Sequence, residues 1–236
     1  MKLLALDTAS AQCSVALLLG DELITQAVPT AREHAQLILP MLDALLAQAG
    51  ITLRQLDGIA FGRGPGSFTG VRVAAGVTQG LALGADLPVW PVSDLRALAA
   101  QALRRSGRLV AQRREGAVLA CMDARMGEIY GACYAVEGEH VGGLLWDECV
   151  CMPDACAAGM IGRVALAAGM GLAAYPQIAL RLGVSPDAVF PDAEPHAQDV
   201  ARLAALDLQR GARWQDAATA MPVYLRDQVV QQRRAP

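Results

Sequence analysis

Apolar positions along the chain change period several times, and each change marks an element. Residues 3–6 are a continuous apolar run that ends at the turn-like Asp7-Thr8-Ala9-Ser10. Two strand-like runs, 13–19 and 22–28, flank Gly20-Asp21 and predict a hairpin, although the dipeptide reverses the favoured Asp-Gly. Apolar residues then recur at helical spacing, with Ile38, Leu42, Leu45, Leu46 and Ala49 on one face and Leu37, Met41 and Ala44 on another. Thr30 and Glu33 fit a capping box ahead of this helix, Gly50 fits its stop, and Pro40 is expected to kink it. Residues 57–62 read as a strand, 71–84 as a helix, 88–92 as a strand and 93–105 as a helix. Further on, 117–122, 129–136 and 141–150 read as strands and 197–209 as a helix. Both halves run through strands first and helices mixed with strands afterwards, which predicts an α/β fold made from a duplicated unit.

At 236 residues the chain is one large domain or two small ones, and it can bury a core without disulfides. The compositional break lies at 104–116, where Arg104, Arg105, Arg108, Arg113 and Arg114 face a single acid, Glu115. It is read as an exposed loop or domain boundary, with RNA contact as the other reading. The expected domains are therefore 1–106 and 107–236, with the last segment returning to the first domain. A hydrophobic content of 54% against 18% charged residues excludes disorder, and 4% aromatics leaves Ala, Leu and Val to build the core. The net charge of -3 gives no global basic field for nucleic acid.

Lys2 is the single lysine, which excludes a buried catalytic lysine. The start of the chain lacks a signal-type apolar stretch, and the most apolar segment, 164–175, is too short to span a bilayer. A cytoplasmic protein with reduced thiols is expected, without membrane contact. Cys149 and Cys151 share a strand face, but the three histidines are far apart, so the cysteines read as buried thiols and no metal site is expected.

Two segments stand out. Loop 62–70 (Gly-Arg-Gly-Pro-Gly-Ser-Phe-Thr-Gly) joins a strand to a helix, an arrangement that can bind anions. It lacks the Lys-Ser/Thr ending of a P-loop, the dinucleotide glycine spacing, and the glycines that would make Ser67 a nucleophile elbow. A phosphate cradle and a structural turn both stay open. The helix after it carries Gly76, Gly80 and Gly84 on one stripe, each costing about 1 kcal/mol relative to Ala. Something should press closely on that stripe, either another element of this chain or a partner helix. The surplus apolar face of the preceding helix favours a subunit interface. The residues expected there are Leu37, Met41, Ala44, Leu45, Val73, Gly76, Val77, Gly80 and Gly84.

LALDTAS-x-x-CSVAL, REHAQLILP, GRGPGSFTGVRVAAGVTQGLALG, MDARMGEIY and PVYLRD together resemble the bacterial TsaB (YeaZ) family. The likeness is dense over 1–100 and faint between 141 and 213. It implies two actin-like/RNase H-like α/β domains related to the catalytic TsaD subunit. It also implies a noncatalytic accessory role in making threonylcarbamoyladenosine in tRNA. The implied partners are a TsaD-type subunit, bound through the two helices, a TsaE-type ATPase, and tRNA through the complex. Self-association as a homodimer is implied for the chain alone. ATP, threonylcarbamoyl-adenylate and a metal would be used by the complex, with no cofactor bound by this chain by itself.

In such folds Asp7 lies near nucleotide phosphates. The metal-binding histidines of TsaD fall at Asp94 and Leu98, and leucine cannot ligate a metal. Asp7, Arg63, Ser67, Thr69, Arg72, Arg125 and Glu128 are implied contacts for a nucleotide or a partner, against a bland reading in which the charged ones only hold loops together. An ATPase or kinase-like enzyme acting through Asp7 and loop 62–70 is the competing reading.

Overall fold

The structure is a computed structural model and describes residues 1–30, 32–107 and 116–226. Arg108, Arg113 and Arg114 of the basic break, and Asp227 of the last motif, lie outside the described residues. Strands β1 (Lys2–Asp7), β2 (Gln12–Leu19), β3 (Glu22–Pro29), β4 (Gly58–Gly62) and β5 (Val89–Val92) form one sheet in the order β3-β2-β1-β4-β5. Strands β6 (Ala117–Arg125), β7 (Glu128–Glu137), β8 (His140–Cys151), β9 (Val164–Ala168) and β10 (Val189–Phe190) form the second, in the order β8-β7-β6-β9-β10. In each sheet the first strand pairs antiparallel with the second and parallel with the fourth. The duplication is therefore real, and the fold is two mixed five-stranded sheets flanked by helices.

The β1 run is apolar throughout because both faces of the strand are covered. Leu4 and Leu6 point into one core with Ile38, Leu42 and Leu45 of α1 (His34–Ala49) and with Ala74 and Ala82 of α2 (Phe68–Ala85). Leu3 and Ala5 point into the opposite core, with Val200, Leu203 and Ala204. Two more helices sit between these, α4 (Met170–Ala174) and α5 (Gln177–Leu182), before α6 (Ala197–Gln209). Helix α3 (Asp94–Ser106) precedes the second sheet and buries Leu95, Leu98 and Ala102 in that sheet's core, while α6 follows the second sheet and covers the first. The two units are thus laced together by exchanged helices.

Element starts differ where capping decides them. Helix α2 begins at Phe68, not Val71, because Ser67 is its N-cap and accepts from the Gly70 N–H. Helix α1 begins at His34: Thr30 Oγ1 accepts from the Glu33 N–H at 3.1 Å, but the Thr30 N–H is still tied to Ala11 O at 2.7 Å as an extension of β3. The helix continues through Pro40, which lies on its exposed side. Residues 152–188, where no element was expected, hold β9, α4, α5 and several 3-10 turns. None of the described helices is long and apolar enough to cross a membrane.

Candidate functional site

The glycine-rich loop is bound to the β1–β2 turn. The Ser67 N–H donates to Ala9 O at 2.7 Å, Thr8 Oγ1 donates to Gly70 O at 2.7 Å, and the Arg63 N–H donates to Val92 O at 2.8 Å. The Gly64 N–H donates to Asp94 Oδ2. A Cβ on Gly66 would strike Ala9, and one on Gly70 would strike the Thr8 carbonyl. These glycines permit backbone against backbone, a packing need that also fits a glycine loop. Much of the N–H set that would cradle a phosphate is already satisfied inside the chain. Asp7 is fully buried, with Oδ1 accepting from the Ala9 N–H at 3.0 Å. It does not face solvent and cannot reach a ligand in the cleft without the turn opening. Ser67 is exposed and Thr69 beside it is exposed too, but the Ser67 hydroxyl is engaged as a helix cap.

Each predicted charged residue has a partner within the chain. Arg63 reaches across to the second sheet, where its guanidinium donates to Glu148 Oε2 at 3.3 Å. Glu148 also accepts from the buried Tyr134 hydroxyl at 2.8 Å, and that hydroxyl lies 3.4 Å from Ser93, the N-cap of α3. Burial, followed by the Glu148 charge, holds the Tyr134 phenol well above its ordinary range. Arg125 pairs with Asp123 in the exposed β6–β7 turn, and Glu128 pairs with Arg226 from the C-terminal strap. Arg72 stacks 3.4 Å over the Phe68 ring and donates to the Tyr224 hydroxyl at 2.8 Å. The strap itself is held to the loop by the Val223 N–H donating to Arg63 O at 2.7 Å.

Between the two sheets lies a cleft of about 680 Å³, lined among others by Ser67, Phe68, Met122, Arg125, Tyr130, Met170, Tyr224 and Arg226. Phe68, Tyr224, Tyr134, Glu148 and Arg226 were missed by sequence reasoning as site residues. Tyr224 and Arg226 meet Arg72 and Glu128 from about 100 residues or more away, and only the PVYLRD motif pointed to the strap.

The helix face has a different character. Gly76, Gly80 and Gly84 are exposed, and a Cβ on any of them would meet no atom within 4 Å. Among the described residues, no element of the chain presses on the stripe, so none of them accounts for it. Leu83 (61% exposed) and Leu39 (45%) are exposed, Ala44 is exposed, and Leu37, Val73 and Val77 are half-buried. Leu45 departs from the expected interface set: it is fully buried in the core beneath α1, and Met41 is nearly so. Their positions at helical spacing put them on the inward edge of the stripe, where the first sheet already covers them.

The six cysteines are free, with Cys149 and Cys151 half-buried and the others buried. Burial pushes the Cys13 thiol up to about 11 and the Cys133 thiol up to about 12. Among the described residues no group of three or more His, Cys, Asp or Glu side chains is placed to hold a metal.

Two copies of one sheet, exchanged helices and a cleft between them define a duplicated actin-like α/β protein. A sequence profile of the TsaD family, described as tRNA N6-adenosine threonylcarbamoyltransferase, matches residues 19–231. The chain is 38% identical to the tRNA threonylcarbamoyladenosine biosynthesis protein TsaB of Haemophilus influenzae, over 97% of this chain and 95% of that one. The TsaB protein of Escherichia coli is also 38% identical, over 97% and 96%. The solved structure of YeaZ from Pseudomonas aeruginosa superposes with a TM-score of 0.82 at 41% identity, covering 95% of this chain and 99% of that one. The chain belongs to the TsaB (YeaZ) family, and its role lies in tRNA threonylcarbamoyladenosine biosynthesis.

Proposed function

We propose that this chain is a noncatalytic scaffold subunit. It pairs through α1 and α2 with a TsaD-type catalytic subunit and works with a TsaE-type ATPase. The complex then transfers threonylcarbamoyl to the adenosine next to the anticodon of tRNA, in the cytoplasm. The observation that carries the reading is the bare Gly76-Gly80-Gly84 stripe, flanked by exposed Leu83, Leu39 and Ala44. Two interior glycines and a third in the last turn weaken a solvent-facing helix, with no return from the described residues. A helix from another subunit that approaches closely at the glycines accounts for them. The burial of Asp7 and the internal use of the loop amides support the absence of catalysis and of a bound cofactor in the chain alone.

The same face supports self-association when no partner is present. Arg72 with Phe68 and Tyr224, together with Thr69, Arg125 and Glu128, then forms the rim offered to a partner or to a nucleotide at a subunit boundary.

Reconstituted threonylcarbamoyl transfer tests the reading. Transfer to tRNA by the TsaD-type and TsaE-type subunits should require this chain, and the chain alone should not turn over ATP with magnesium. Hydrolysis by the pure chain that disappears in Asp7→Ala would overturn the scaffold reading in favour of an enzyme.

A further inference from the structure

Asp7 and Asp94 are buried acids that no partner-binding role explains. Both are 0% exposed, and Asp7 Oδ2 and Asp94 Oδ1 have no hydrogen-bond partner among the described residues. The two orphan oxygens converge: a Cβ on Gly62 would collide with both of them. Two carboxylates this close and this dry cannot both be charged, because repulsion and lost hydration act in the same direction. Left ionised, each orphan oxygen would also be a buried acceptor with no donor. One proton placed between them removes both faults.

We propose that Asp7 and Asp94 share one proton at neutral pH, and that this proton is a structural part of the protein, joining the end of β1 to the first turn of α3. The inference is independent of the scaffold reading. Burial, then the Asp7 charge and its hydrogen bond, hold Asp94 well above the ordinary carboxylate range, against the opposing pull of the Gly64 N–H and Arg63.

The other titratable or charged groups facing the pair are Cys13 on β2, His34 at the start of α1, His196 ahead of α6, and Arg63. Arg63 is committed to Glu148, and burial lowers both histidines. Loss of the proton would set two negative charges against each other beside Gly62. That would part β1 from α3, whose apolar face lies in the second sheet's core. Proton uptake and the joining of the two units are thereby linked.

The folded value of Asp94 is raised, so the native state holds a proton that the unfolded chain releases. The stability it brings is complete below about pH 4 and is lost as pH rises toward the raised value, with a ~tenfold rise in the unfolding constant per pH unit. Urea unfolding of the full chain and of Asp94→Asn, from about pH 5 to 8, reads this directly. Asparagine keeps an oxygen for the Gly64 N–H and offers an N–H to Asp7. The ratio of the two unfolding constants, wild type over variant, should climb ~tenfold per pH unit, while the histidine contributions cancel.

Carbon-13 NMR of labelled aspartate carboxyls should show one protonated at pH 7 in the wild type and none in the variant. Parallel stability curves, or carboxyls that all titrate in the ordinary acidic range, would overturn the proposal. If Asp94→Asn does not fold, the wild-type spectrum decides alone. Millimolar Mn²⁺ should not change wild-type stability. A gain that vanishes in the variant would make the pair a cation site and overturn the shared proton.

Discussion

Replacing Gly80 by leucine separates the two meanings a glycine stripe can have. A Cβ at Gly80 meets no described atom within 4 Å and the position is exposed, so the new side chain starts into open space. Leucine is a far better helix former than glycine, and the exchange should stabilise the monomer by about 0.8–1 kcal/mol. For a chain of this size that is a rise in Tm of about 2–4 °C. In a complex that brings a partner helix against the stripe, four extra side-chain carbons must be accommodated. Overpacking of that kind costs about 1–3 kcal/mol. The dissociation constant should therefore weaken ~5- to 150-fold. Thermal unfolding at low protein concentration, which limits any contribution from self-association, measures the first effect. Calorimetric titration with the TsaD-type subunit measures the second. A fall in Tm by several degrees with unchanged affinity would show that Gly80 packs within its own chain. A raised Tm with unchanged affinity would remove the stripe from the interface.

Other predictions follow from the loop, from a helix cap and from the thiols. Gly70→Ala drives a Cβ into the Thr8 carbonyl and should cost about 3 kcal/mol or more, read as a lower urea midpoint. His196 caps α6 by accepting the Gln198 N–H on Nδ1 at 3.0 Å, and burial lowers its affinity for a proton. The unfolded chain therefore binds the proton first, and stability should fall as pH drops below about 6.5; His196→Asn, which keeps a cap acceptor, should flatten that fall. Cys13 and Cys133, raised to about 11 and about 12, should resist alkylation at pH 8 until the chain unfolds. Modification of either in the native protein at the rate of a free thiol would contradict their burial.

Much of the scaffold was legible because periodicity is local. The hairpin around Gly20-Asp21, helix α1, and the strand–loop–helix around residue 62 were all readable from spacing, and so was the duplicated order of elements. Boundaries were less so: Ser67 looked like a loop residue, and its capping role sets the start of α2 three residues early. The region of β9, α4 and α5 was opaque because its strand is only five residues long and its helices are too short, at five and six residues, to show a helical period.

The site divides in the same way. The glycine stripe could be read by spacing alone, but whether it lay bare depended on where the rest of the chain went. Leu45 and Met41 show the converse, since both were expected at the interface and the core beneath the first sheet claims them. Asp94 was noted as a position that could not complete a metal site. Its confrontation with Asp7 needs β1, β4 and α3 brought together, which nothing local in the sequence states.

The central claim is that the bare α1–α2 face is a subunit interface. Sedimentation of this chain alone, and then mixed with the TsaD-type subunit of the same organism, tests it most directly. The account predicts a heterodimer at low micromolar concentration that replaces any self-associated form of the free chain. Two species sedimenting independently, across salt and nucleotide conditions, would contradict it.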